Sequence, residues 1–441
     1  MALALAAGIF VLPSGARAGA QTLPVVVVPR LELADLAALG DRAAIGLLVP
    51  GAGPRVSEAA ALAALERGVV RNSLRGGLPP GPVLIDVESA RTIPEGPAIV
   101  LGLPEGGDRP NDRRYPVAVI APGYDGLLTS SQTRIPGLVS IVDIAPTALG
   151  EERALESTFD TRPEETLAAL DARIVENGQV RALASLLVGL LILVLAFVYP
   201  RAALLAFSTA LAANLVLGAA GVSARWLVLL VLAAAVGLGA PALAGLVESP
   251  LAVALVLAAV MIGSLVTLGL DGDAVSLSPL GPTQNSRFYG LSNLLAAMLL
   301  VPALAGSGLL RLTVGWVPAL LFGAVSLVTI AGSRFGADGG TGIVLCVAFA
   351  VLAVELGEAR RRTVAAAIAL AAAAGAAVIA IDAASGTSSH LTDAVGGGPG
   401  SFAGDLRDRI VLSWERATDD WYLAALVIAG ALLLLALVAR L

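Results

Sequence analysis

Residues 171–199 read DARIVENGQVRALASLLVGLLILVLAFVY. Charged and amide side chains recur as far as Arg181, and from Ala182 to Tyr199 there is no acidic or basic residue. A helix needs about 20 predominantly apolar residues to cross the hydrocarbon of a bilayer, and 181–199 meets that length. The chain therefore divides near residue 180. Residues 21–180 carry 21 acids and 14 arginines, whereas the rest of the chain carries 13 acids and 14 arginines.

Downstream of this boundary the apolar pattern repeats. Nine spans are expected, at about 181–199, 201–220, 225–247, 250–270, 289–310, 313–332, 340–357, 363–382 and 421–440. The third is the weakest, because Gly237, Gly239 and Pro241 interrupt it. The whole 441-residue composition agrees: 57% is hydrophobic and 14% charged. Soluble globular chains are about 25% charged, so that class is excluded.

Upstream, residues 21–180 alternate short apolar runs with helical stretches. Strands are expected at Val25–Val28, Ala44–Val49, Val83–Val87, Ala98–Leu103, Val117–Ala121 and Leu138–Val142. Helices are expected at Leu33–Leu39, Ser57–Arg67 and Pro163–Asn177, with Ser57 as an N-cap. Alternation of this kind predicts a mostly parallel sheet flanked by helices. The extreme N-terminus, residues 1–20, is apolar and ends in small-x-small patterns at Ala16, Ala18 and Ala20. It reads as a signal peptide or an uncleaved anchor. Either puts the domain at 21–180 outside the cytoplasm. Nine spans then bring the C-terminus inside, with the Arg360-Arg361-Arg362 cluster on a short cytoplasmic loop.

Rare residues narrow the chemistry. Cys346 is the one cysteine and His390 the one histidine. An internal disulfide and any site of several thiolates or imidazoles are thereby excluded. No metal or other cofactor is expected. All 28 basic residues are arginine and the net charge is −6, which argues against a nucleic-acid partner.

Within the first domain, Tyr115–Gly150 reads as a strand, a Gly-rich loop, a Thr133-Arg134 turn, a second strand and a helix start that Asp143 could cap. The run Val142-Asp-Ile-Ala-Pro-Thr-Ala-Leu149 resembles the C-terminal part of the alkaline phosphatase superfamily. The resemblance implies a truncated α/β domain of that shape. That superfamily uses two metal ions held by Asp and His. Residues 1–389 contain no histidine, and Pro29-Arg30 follow the first strand where the family has a metal-binding Asp. A domain without the metal centre, a pseudoenzyme, is expected. Thr133, Arg134 and Asp143 read either as a remnant anion site or as a turn arginine with a helix cap, and the second is favoured.

The polar material of the membrane part concentrates in three outer segments, 271–293, 332–341 and 383–420. In the first, Asn285, Arg287, Tyr289 and Asn293 precede the fifth expected span. Free backbone N–H groups at such a helix start favour anions. The second, Ser333-Arg334-Phe335-Gly336-Ala337-Asp338-Gly339-Gly340-Thr341, suits a re-entrant turn. The third holds His390 and an amphipathic stretch around Leu406, Ile410 and Trp414. Taken together, the chain resembles uncharacterised polytopic envelope proteins of Gram-positive bacteria carrying a degenerate alkaline-phosphatase-like ectodomain. The resemblance implies an architecture and no particular reaction.

The expected function is binding of a lipid-linked or phosphorylated amphiphile at the outer face. Asn285, Arg287, Tyr289, Asn293 and Arg334 would hold it, with Asp338 and His390 as acid/base candidates. The expected partner is a membrane lipid or a lipid-linked envelope precursor. A transporter or flippase using the same residues is the alternative, and a scaffold for an envelope enzyme is the third.

Overall fold

The computed structural model describes residues 22–73, 77–151, 154–282, 289–332 and 339–356, with Arg407 and Val411. The chain forms two compact units that part at Ala168 and Ala169.

The first unit is built on an eight-stranded mixed sheet. Its strands are β1 (Val25–Val27), β2 (Ala44–Val49), β4 (Val87–Ser89), β5 (Ala98–Leu101), β7 (Tyr115–Ile120), β8 (Gly126–Ser130), β9 (Leu138–Ser140) and β10 (Leu155–Thr158). A separate ribbon pairs β3 (Arg55–Val56) with β6 (Arg109–Pro110). The order across the sheet is β10-β8-β2-β7-β5-β1-β4, with β9 continuing the β8 edge of β2. The sheet is mixed: four of its neighbouring pairs are parallel and three antiparallel. Six strands point one way, but β7 runs antiparallel between β2 and β5, and β10 antiparallel beside β8. β2 is buried at all six positions, as an interior strand covered on both faces should be.

Helices α1 (Leu33–Ala37), α2 (Glu58–Arg67) and α3 (Ile144–Ala148) flank the sheet. Ser57 caps α2, its hydroxyl accepting from the Ala60 N–H at 3.2 Å. The helix ends at Gly68 in a left-handed conformation, φ 61°. Buried Leu48, Leu65, Ile99, Leu128, Ile141 and Ile144 form the centre of this unit's core. Two expected strands shift. The Val83–Val87 run pairs only from Val87, and Leu138–Val142 ends at Ser140 in a 3-10 turn, Ile141–Asp143.

The second unit is helical. The helix expected at Pro163–Asn177 and the span expected at 181–199 are one unbroken helix, α4 (Pro163–Val198). Its 36 residues extend about 54 Å at 1.5 Å per residue. α5 (Pro200–Ala219) follows, then α6 (Arg225–Ala234), a π-helical turn (Ala235–Gly239) and α7 (Ala240–Leu246) as one span. The Gly237-Gly239-Pro241 interruption is absorbed by that turn. Pro241 lacks an N–H and its ring crowds the carbonyl of residue 237, so a widened turn relieves both defects. α8 (Pro250–Leu270), the short α9 (Gly272–Ser276), α10 (Asn293–Thr313), α11 (Trp316–Ala331) and α12 (Gly339–Leu356) complete the described helices.

Among the described residues, five helices are long and apolar enough to cross a membrane, with shorter apolar helices at Trp316–Ala331 and Val344–Leu356. They are compatible with a multi-pass membrane protein. Their exposed faces carry Val194, Phe197, Val216, Leu230, Leu255 and Val317, which suits contact with lipid. The expected spans at 363–382 and 421–440 lie outside the described residues.

Candidate functional site

The second unit gathers a group of buried polar side chains where the middle of α4 meets the last turns of α5, the short α9 and the start of α10. After α8 the described chain does not stay on the surface. Residues 274–282 are all buried, although only the first three belong to α9. Backbone outside a helix must find other partners for its N–H and C=O groups when it leaves water. Here those partners are side chains of other elements. Asn177 of α4 donates from Nδ2 to the Leu277 carbonyl at 2.7 Å, and Arg181 donates from Nη2 to the Pro282 carbonyl at 2.8 Å. Asn214 of α5 donates to Ser278 Oγ and accepts from the Leu280 N–H, each at 2.9 Å. Ser292 donates to the Leu280 carbonyl at 2.8 Å, and Ser276 Oγ accepts from the Gly290 N–H at 2.8 Å.

The segment also packs closely. A Cβ on Gly218 would lie 2.0 Å from the Ala274 carbonyl oxygen, so α5 and α9 approach backbone to backbone only because residue 218 is glycine. Tyr289 closes the other side. Its hydroxyl occupies the space beside Gly272, 2.1 Å from where a Cβ there would stand.

On α4, Arg173, Asn177, Arg181 and Ser185 recur every fourth residue and so share one face. Arg173 donates to the Gly218 carbonyl at 2.5 Å and interacts electrostatically with Asp271 and Asp273. Asp273 is pushed up to about 6, first by burial and then by the charge of Asp271, while Arg173 pulls the other way. Among the described residues no acid faces Arg181 in this way. The polar ladder is also incompletely satisfied. The Nε atoms of Arg173 and Arg181 and Oδ1 of Asn177 are buried without a hydrogen-bond partner.

The same face of α4 continues into an apolar cavity of about 310 Å³. It is lined from α4 by Ser185, Val188, Gly189, Ile192, Leu193 and Ala196, and from elsewhere by Phe207, Leu280, Leu294 and Met298. Two residues join cavity and ladder. Ser185 donates to the Arg181 carbonyl at 2.7 Å, and Leu280 is the residue held by Asn214 and Ser292.

Of the residues expected to form the site, Tyr289 is half-buried against the re-entrant segment, and Asn293 is exposed as the first residue of α10. Asn285, Arg287, Arg334, Asp338 and His390 lie outside the described residues. Arg173, Asn177 and Arg181 were not expected as site residues. Their four-residue spacing running straight into the first apolar span was the available signal. Among the described residues no group of three or more His, Cys, Asp or Glu side chains is placed to hold a metal ion.

In the first unit, Asp143 does something other than cap α3. Its carboxylate makes no capping bond and instead accepts from the Ser130 hydroxyl, the Ser131 hydroxyl at 3.2 Å and the Gln132 N–H at 3.1 Å. Burial pushes its carboxyl above the usual range, and those three donors pull it back. The neighbouring turn is bound from within. Thr133 Oγ1 donates to the Leu138 carbonyl, and Arg134 adopts a left-handed φ of 55° while its N–H bonds the Ser130 carbonyl. This is a lock between the end of β8 and the start of α3. At the loops that follow β1, β2 and β5, Arg30 faces Glu105 at 3.6 Å and Arg55 pairs with Asp108.

No protein-family model, no curated protein and no solved structure matches the chain.

Proposed function

We propose that the helical unit is an amphiphile-binding membrane protein of the cell envelope, taking a lipid-linked or phosphorylated ligand. The observation that carries this reading is the cavity of about 310 Å³ whose apolar wall adjoins the polar ladder on one face of α4. Pockets for small ligands run from about 300 to 1,000 Å³, with mostly apolar walls and a few polar groups that fix orientation. An amphiphile has that distribution of polarity along its length. Tyr289 and Asn293 belong to the same end of the bundle, which adds polar groups for a headgroup. In this proposal the domain at 21–180 is extracytoplasmic and acts without metal, as a pseudo-phosphatase rather than a hydrolase. The Val142–Leu149 run supports its shape, and the lack of histidine before His390 argues against the chemistry.

The test is to block the cavity. Gly189 lines the cavity and a Cβ there meets nothing within 4 Å, so Gly189→Trp brings a bulky ring to the cavity wall. Purified full-length protein should retain amphiphiles detectable by mass spectrometry, and Gly189→Trp should lose them at unchanged melting temperature. Equal lipid content in the two proteins counts against the reading.

A second reading has its own observation. The π-helical turn at Ala235–Gly239 interrupts one span, and broken helices line the paths of transporters. Movement of a labelled lipid between leaflets of proteoliposomes, absent in protein-free vesicles, would favour a flippase.

A further inference from the structure

We propose that Arg181 anchors the anionic headgroup of a single-chain amphiphile whose chain fills the cavity beyond Ser185. The inference rests on the amphiphile-binding reading above and adds the ligand's charge, its number of chains and its polarity along α4.

Arg181 and Arg173 sit two helical turns apart on one face, yet their surroundings differ. Arg173 interacts with Asp271 and Asp273. Arg181 is half-buried, and its side chain makes one hydrogen bond, to the neutral Pro282 carbonyl. Among the described residues no carboxylate faces it. A cation drawn out of water without a counter-charge is costly, and within a membrane protein it marks a place where an anion belongs. The guanidinium is not used up by its carbonyl. A fork of five N–H donors keeps capacity for a phosphate or carboxylate.

One turn further on, the cavity begins. Ser185 turns its hydroxyl back to the Arg181 carbonyl, so it does not compete for a headgroup. From there to Ala196 the lining is apolar apart from Ser185 itself. Arg181 stands one helical turn before Ser185, the first lining residue on α4, and the complement of a cation so placed before an apolar slot is an anion joined to a hydrocarbon chain. A volume of about 310 Å³ lies at the low end for ligand pockets and suits one chain rather than two. The headgroup is therefore at Arg181 and the chain runs toward Ala196, along about 22 Å of helix.

The experiment uses full-length protein in phosphatidylcholine nanodiscs and three probes with the same diazirine-bearing sixteen-carbon chain: an alkyl phosphate, a fatty carboxylate and the neutral alcohol. The phosphate should label peptides of α4 and α10 around Ile192 and Met298 at least tenfold more than the alcohol. Arg181→Gln should bring phosphate labelling down to the alcohol's level and leave the alcohol unchanged, while Arg181→Lys should retain the preference. The carboxylate arm separates a phosphate site, where it labels like the alcohol, from a general anion site, where it labels like the phosphate. Equal labelling by phosphate and alcohol in the wild type overturns the anchor and leaves the cavity reading standing. A preference that survives Arg181→Gln also overturns it. Failure of every probe to label the cavity overturns both. The wild-type comparison needs no variant, so a misfolded Arg181→Gln does not spoil the test.

Discussion

Asn214 and Ser278 are 64 residues apart, and the Asn214 amide donates to the Ser278 hydroxyl at 2.9 Å inside the helical unit. The same amide accepts from the Leu280 N–H. One side chain thus serves two groups of a buried segment whose own turns satisfy only some of its backbone. Replacing Asn214 with Leu strands the Leu280 N–H and removes a donor from Ser278 Oγ, which keeps its own bond to the Val275 carbonyl at 2.8 Å. Each buried group left unpaired costs about 1–3 kcal/mol, so Asn214→Leu should destabilise the purified protein by about 2 kcal/mol or more in detergent unfolding. A loss of a few tenths would mean that the segment is held elsewhere.

Gly218 sets a second demand. Ala at this position would press its Cβ to 2.0 Å from the Ala274 carbonyl oxygen, and backbone cannot yield as a side-chain tip can. Overpacking of this kind costs about 1–3 kcal/mol. Gly263→Ala is the control, since a Cβ there meets nothing within 4 Å and alanine is favoured in a helix by up to about 1 kcal/mol. The two variants should shift the melting temperature in opposite directions.

Asp143 makes the first unit sensitive to pH. Its carboxyl titrates above the ordinary 3.8 because it is buried. Between that value and the raised one, the folded chain holds more protons than the unfolded chain. Stability contributed by this group is therefore full at low pH and declines as pH rises through the window. Asp143→Asn keeps an acceptor for Ser130 and Ser131 and removes the titration. Amide hydrogen exchange in Leu127–Ser130 and Ile144–Ala148 should speed up with rising pH beyond its intrinsic dependence in the wild type, and not in the variant.

Asp273 offers a sharper titration. Burial and the charge of Asp271 raise it to about 6, against the pull of Arg173. Asp271→Asn should lower that midpoint while leaving the acceptor that Ala274 N–H uses at 3.1 Å. Arg173→Gln should raise it. Infrared difference spectra of the carboxyl band, assigned with Asp273→Asn, follow the midpoint directly. A midpoint near 4 in the wild type would contradict the buried setting.

The sequence made some of this fold readable. β2 matches its expected range because six consecutive apolar residues between Arg42-Ala43 and Pro50 can only be an interior strand or a core segment. α2 was readable from Ser57 and its acidic first turn. β8 was not, since Gly-Leu-Leu-Thr-Ser looks like a loop, and only pairing to β2 and β10 makes it a strand. β10 buries Leu155 alone among its four residues, too weak a pattern to read from one chain. The site divides the same way. The segment 271–293 stands out by its polarity, but composition cannot reveal that side chains 60 to 100 residues away supply hydrogen bonds to its buried part. Arg173 and Asn177 lie before the apolar run, within the helix expected at Pro163–Asn177 and apart from the span expected at 181–199. The unbroken α4 carries them into the bundle.

The burial of residues 274–282 also fixes an order of events. Beyond the local bonds of Leu277 to Asp273 and of Ser278 to Val275, Leu277, Ser278, Leu280 and Pro282 bond to α4, to α5 and to Ser292 at the threshold of α10. Until those helices stand side by side, this stretch is better solvated by water than by the bilayer. It is therefore one of the last parts of the helical unit to settle. A nascent chain released before Ser292 would have its spans but not the keystone between them.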